Sequence, residues 1–181
     1  RVIVSGTPNK TTQANIALRI PGWTPNAIVK VNGETMKGVA SGEYYVINRQ
    51  WNADDEITLT MEMPAHLVSL NQSVAIERGP IVYARDSRFN DGFVDEVVTI
   101  PNKDGIIQMK TEENGKDMWI TVSVPMVRGT YNDASTDTRH IRLCDFASAG
   151  STWDERIRYR VWLPKLYTPD NPKSGQFQGY W

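Results

Sequence analysis

The chain holds one cysteine, Cys144, and two histidines, His66 and His140, among 181 residues. A single cysteine excludes an intramolecular disulfide. With two histidines, it leaves too few soft ligands for an ordinary zinc site. Long apolar runs are also missing, since no stretch approaches the ~18 residues that a membrane-spanning helix needs. Charge of one sign is not in excess: 20 Lys+Arg face 21 Asp+Glu, for a net charge of −1. Nucleic-acid binding draws on an excess of basic side chains, so this balance argues against it. The first residues, RVIVSG, show neither an initiator Met nor a signal segment. No GxSxG, P-loop, GxGxxG, HExxH or EF-hand pattern occurs.

Thirteen glycines and ten prolines punctuate the chain. Between them the apolar pattern has period two. Ile57, Leu59, Met61 and Met63 alternate with polar residues, as do Ile16, Leu18 and Ile20. Met118, Ile120, Val122 and Val124 form a third such set, and Ile157, Tyr159, Val161 and Leu163 a fourth. Alternation of this kind predicts strands with one buried face. Further strands are expected at 27–31, 43–49, 73–78, 81–85, 106–110 and 138–144. Asn32-Gly33 and Asn114-Gly115 are strong hairpin signals, because a type I′ turn needs positive φ at both central positions. Asp104-Gly105 is a weaker one. No window shows a sustained helical period. The expectation is an all-β fold, an antiparallel, jelly-roll-like β-sandwich of ten or more strands. The polar stretch 85–92 suggests a division into 1–84 and 85–181, as two small packed β domains or one continuous sandwich.

The chemistry on offer is sparse. His140 and Cys144 lie four apart on a predicted strand and share a face, but Arg142 between them repels a cation. Two ligands make no metal site. A nucleophilic Cys144 needs a base and a thiolate-stabilising environment, and His140 could serve as that base only if the strand bends. Carboxylates occur at Asp54–Glu56, Asp91, Asp95, Glu96, Asp133, Asp137, Asp154 and Glu155, among others. Glycoside hydrolysis needs two of them roughly 5–9.5 Å apart. Most sit in turn-like stretches, where Asp serves the backbone. No catalytic residue, metal ligand or cofactor is therefore assigned. Among the aromatics, Trp23 and Trp51 are expected to be buried. By alternation, Trp119 shares the Thr121/Ser123 face and Trp162 the Arg158/Arg160 face, which makes both candidates for exposure, with burial under a second layer as the alternative. Exposed tryptophans dock to other domains or stack on sugar rings.

One ordered set of patterns goes further: IALRIPGW (16–23), VKVNGE (29–34), GEYYVINRQWNADDEITLTMEM (42–63) and VAIERGPIVYAR (74–85). Together they resemble the β-sandwich region that follows the catalytic barrel in glycoside hydrolase family 127, the β-L-arabinofuranosidase-like proteins. The segment CDFASAGSTWDERIRYRVWLP (144–164) is similar to a later part of the same proteins. The resemblance implies an upstream (α/α)6 barrel in the same polypeptide, with a zinc-bound cysteine nucleophile and a glutamate acid/base. None of those residues maps onto this chain, and Cys144 is not their counterpart. A start without Met is what a fragment cut between barrel and sandwich would show. The expected role is thus a non-catalytic accessory region that supports the barrel, with a contact at the active-site rim or between two copies of the chain. The alternative is a carbohydrate-binding module. The loop 147–155 is the expected contact element, and Trp119, Trp153, Asp154, Glu155 and Trp162 are the candidate contact residues. A periplasmic or secreted location follows from the resemblance alone.

Overall fold

The computed structural model describes residues 2–5, 11–115, 117–127, 138–152 and 154–165. They gather into two compact units, Arg1–Pro64 and Ala65–Trp181.

The first unit holds β1 (Val2–Ser5), β2 (Thr12–Arg19), β3 (Ala27–Val31), β4 (Glu34–Thr35), β5 (Tyr44–Trp51) and β6 (Glu56–Met61). Four of them form a sheet in the order β1-β6-β3-β4, and β2 pairs with β5 in a second. The alternation seen in the sequence decides which side chains meet. Val29, Val31, Ile57 and Leu59 from one sheet pack with Ile47 and Trp51 from the other, and Ile20 completes the cluster. This is an antiparallel sandwich with one core. Asn32 and Gly33 adopt φ of 50° and 85°, and Val31 lies opposite Glu34, so the expected type I′ hairpin forms. Trp51 is buried, as expected, whereas Trp23 is half-buried.

The second unit holds β7 (Ala65–Leu70), β8 (Ser73–Arg78), β9 (Ile81–Asp86), β10 (Asn102–Lys103), β11 (Ile106–Ile107), β12 (Lys110–Glu112), β13 (Thr121–Val127), β14 (Thr138–Asp145), β15 (Tyr159–Arg160) and β16 (Leu163–Pro164). The main sheet runs β10-β11-β7-β8-β9-β14-β13-β12; β15 adds to β9 and β16 to β8. Every strand pair in both units is antiparallel. Val122, Val124, Ile141 and Leu143 are fully buried at the centre of the core. The division expected between residues 84 and 85 falls inside this sheet. Gly79-Pro80 closes the β8–β9 hairpin, and Ala84 lies opposite Cys144.

Three local expectations change. Thr121 and Ser123 are buried, so β13 is covered on both faces rather than one. The alternating run 156–164 is two short pieces, because residues 161–162 bend between β15 and β16. Asn114-Gly115 makes no type I′ turn. Asn114 instead donates from Nδ2 to the Trp119 carbonyl (2.7 Å) and accepts from the Thr121 N–H (3.2 Å), bracing a longer β12–β13 connection. Asp104 and Gly105, at φ 52° and 80°, do close a two-residue hairpin.

Core position and face position should separate cleanly in stability. Leu143→Ala is expected to cost about 3 kcal/mol by cavity formation. Val46→Ala, on the exposed face of β5, should cost under ~0.5 kcal/mol. Urea titration of each variant against the parent chain checks both values.

Candidate functional site

The most structured non-sheet region lies in the second unit, where the 3-10 turn Ser87–Phe89 and the loop after β14 cover part of the sheet. Buried carboxylates hold both. Asp86, at the end of β9, accepts from Arg88 through its backbone N–H (2.9 Å), Nε (2.9 Å) and Nη2 (2.8 Å). It also accepts from the Gly150 N–H at 2.9 Å. Burial pushes the Asp86 carboxyl up, but these donors outweigh it and leave its pKa below the ordinary 3.8. Asp145, at the end of β14, accepts from the N–H groups of Ile120 (3.0 Å) and Ser148 (2.9 Å) and from the Ser148 hydroxyl (2.7 Å). That hydroxyl in turn accepts from the Trp119 N–H at 3.0 Å. Arg88 closes the circuit by donating to the Ser148 carbonyl at 2.7 Å. Gly150 adopts φ +65°, and a Cβ there would lie 2.5 Å from the Tyr159 ring. Only glycine fits this position, for both reasons.

A second network lies beside it. Arg85 is 1% exposed, and its guanidinium faces Asp91 and Glu96 at 3.4 Å each. Arg139 also bonds Glu96 and donates to the Asp91 carbonyl. The Arg142 N–H donates to the Asp91 carboxylate at 2.7 Å, and its guanidinium lies over the Phe89 ring, 5.1 Å from the centroid.

Two depressions result. A cleft of about 390 Å³ is lined by Arg88, Phe89, Asp117, Met118, Arg142 and Asp154, among others. A shallower depression of about 340 Å³ is mainly apolar and is lined by Pro80, Ile81, Val82, Trp119, Ile120 and Phe146, with Asp145 and Ala147 at its margin.

These features place the residues singled out in the sequence. Trp119 is 77% exposed and lines the apolar depression. Asp154 lines the polar cleft. Glu155 is exposed and Trp162 is 39% exposed; neither lines either depression. Trp153 lies outside the described residues. The structure thus brings no two of the four described residues into the same depression. Asp154 accepts two bonds from the Arg156 guanidinium, at 2.9 and 2.7 Å, and another from its N–H. Those bonds, chiefly the pair from the guanidinium, lower its pKa to about 2.

Cys144 is fully buried with Phe89 and Met118. Burial, followed by the nearby Asp86 charge, pushes its thiol up to about 12. A thiol so far from ionisation is a poor nucleophile. His140 shares its strand but remains exposed. Among the described residues no group of three or more His, Cys, Asp or Glu is placed to hold a metal ion. No described helix is long and apolar enough to cross a membrane.

Sequence reasoning missed the anchoring role of Asp86, Asp145 and Ser148. The only available signal was polar residues at the ends of apolar strands.

The fold and this region define a class: an all-β chain of two units whose most elaborate polar chemistry holds loops in place. Comparison with known proteins makes that class specific. Residues 1–63 match the family model described as beta-L-arabinofuranosidase, GH127 middle domain. That match ends at the first unit's boundary. A solved glycoside hydrolase shares the fold with TM-score 0.61 at 20% identity, over 91% of this chain and 30% of its own length. A GH127 β-L-arabinofuranosidase from Geobacillus stearothermophilus T6 matches with TM-score 0.64 at 23% identity, over 88% of this chain and 27% of its own. A further GH127 β-arabinofuranosidase gives 0.66 at 22% identity, over 90% and 29%. No curated protein matches. The resemblance read from the motifs at 16–85 is therefore met by an independent family model over the first unit and by fold over most of the chain. The chain spans less than a third of each of these solved structures.

The anchoring carboxylate gives a direct test. Asp86→Asn removes the charge opposing Arg88 in a buried site and should cost about 3 kcal/mol at neutral pH. Folding lowers the Asp86 pKa, so its contribution is complete above 3.8 and is lost as pH falls through the lowered value. The stability gap between parent and variant, read by urea titration, should therefore shrink well below pH 3.8. A gap independent of pH would assign the stabilisation elsewhere.

Proposed function

We propose that this chain is a non-catalytic accessory β region of a larger glycoside hydrolase of the GH127 kind, and that it supports a catalytic barrel in the same polypeptide. The observation that carries this reading is the middle-domain match over 1–63, together with a chain that spans only 27–30% of the solved structures it resembles. The region around Trp119 suits the supporting role. Val82, Trp119 and Phe146 are exposed apolar side chains on one depression, and Phe146 meets Tyr159 at 6.1 Å between ring centroids. Exposed clusters of this sort mark contact surfaces more often than solvated ones. The occupant proposed for this one is the barrel.

The local electrostatics favour the non-catalytic side of the reading. A general acid must hold a proton near working pH, and Asp154, with a pKa of about 2, is ionised there. Arg88 and Arg142 in the same cleft are engaged by Asp86 and Asp91. A periplasmic or secreted location accompanies this reading and rests on the resemblance.

The purified chain is expected to release no aglycone from aryl arabinofuranosides. Turnover above background that disappears in Asp117→Asn or Asp154→Asn would contradict the proposal and give the polar cleft a catalytic role.

A further inference from the structure

The β2–β5 sheet of the first unit has an inner face that builds the core and an outer face whose composition the fold does not explain. Pairing sets Gln13 opposite Gln50, Asn15 opposite Asn48, and Arg19 opposite Tyr44. All six are exposed. Between the amides and the Arg19–Tyr44 pair lies a low apolar step, Ala17 opposite Val46. Asn is depleted in strands, which favour β-branched and aromatic residues. Four primary amides in two adjacent registers are therefore not a consequence of strand propensity.

Their hydrogen-bonding capacity is mostly unspent. Gln13 donates from Nε2 to Asn48 Oδ1 at 2.5 Å. Among the described residues, the side chains of Asn15, Gln50, Arg19 and Tyr44 make no hydrogen bond. Each amide offers two donors and an acceptor, and the guanidinium adds a planar donor fork. Arg19 is the only ionised group on this face, so a polyanion or polycation finds little to neutralise. Tyr44 is 65% exposed and presents a ring to apolar C–H surface at one end. From Gln13 to Arg19 the face extends roughly 20 Å.

We infer that this face binds a neutral oligosaccharide. An occupant must be uncharged and extended, and must carry paired hydroxyls for the amides and Arg19 and a C–H face for Tyr44. A sugar chain meets all four demands. The Ala17–Val46 step lets it lie close to the sheet. This site shares no residue with the Trp119 depression and stands whether or not that depression docks a barrel.

The test is amide-resolved NMR of the 181-residue chain, titrated with arabino-oligosaccharides and, in a second arm, cello-oligosaccharides. Saturable shifts confined to β2 and β5 in either arm are expected. Tyr44→Ala and Gln50→Ala should each weaken binding tenfold or more, and Trp119→Ala should leave it unchanged. Shift mapping on the unaltered chain reads the site even if a variant folds poorly. The inference is overturned if neither sugar gives saturable shifts, if the shifts centre on Trp119, or if the face variants bind like the parent. It is also overturned if the chain self-associates with concentration and Val46→Arg abolishes this, because the face then pairs copies of the protein.

Discussion

Asp86 and Asp145 lie on adjacent strands and are buried where water cannot solvate a carboxylate. Each is stable there because polar groups converge on it: Arg88 and Gly150 on one, Ile120 and Ser148 on the other. An unpaired charge in such a place would be costly. The segment from Phe146 to Gly150 therefore has one low-energy course over the sheet. That course seals Cys144, fixes the backbone of Trp119 through Ser148, and lines the apolar depression through Phe146 and Ala147. Gly150 is the complementary constraint, since its positive φ and its contact with Tyr159 admit no side chain.

The sheets were legible in the sequence because their signal is local. Period-two alternation placed β3 at 27–31 and β8 at 73–78, where the structure has them. The turn at Asn32-Gly33 was legible because few residue pairs accept positive φ twice. What was not legible depends on partners distant in sequence. Alternation gave β13 one apolar face, yet Ser123 is buried on the other, bonded to Glu112. The run 156–164 alternates throughout, but its two ends pair with different strands, β9 and β8, and the chain bends between them. Asn114 had the residue type of a turn and the partners of a brace. The division placed near residue 85 rested on polarity. One residue of that stretch, Asp91, instead faces the buried Arg85, together with Glu96 further along the chain.

The candidate contact residues followed the same logic. The exposure of Trp119 could be argued from its position beside a strand. Its neighbours Val82 and Phe146 could not, since pairing of β9 with β14 brings them together. The polar cleft draws on residues from 88 to 157 and leaves no trace in any one window. The amide face of β2 and β5 was present in the sequence as isolated Asn and Gln letters. It became a surface only once the register between the two strands was known.

The proposed role of this chain is that of a supporting part, built from β-sheet and tied together by buried ion pairs. The central claim concerns what lies next to it in the native polypeptide. Detecting the protein in its source cells with an antibody raised against this chain, and measuring the mass of the intact product, tests that claim directly. The account predicts a polypeptide about three times as long as this one, the proportion by which the similar solved structures exceed it. A mature product of 20.5 kDa would contradict it.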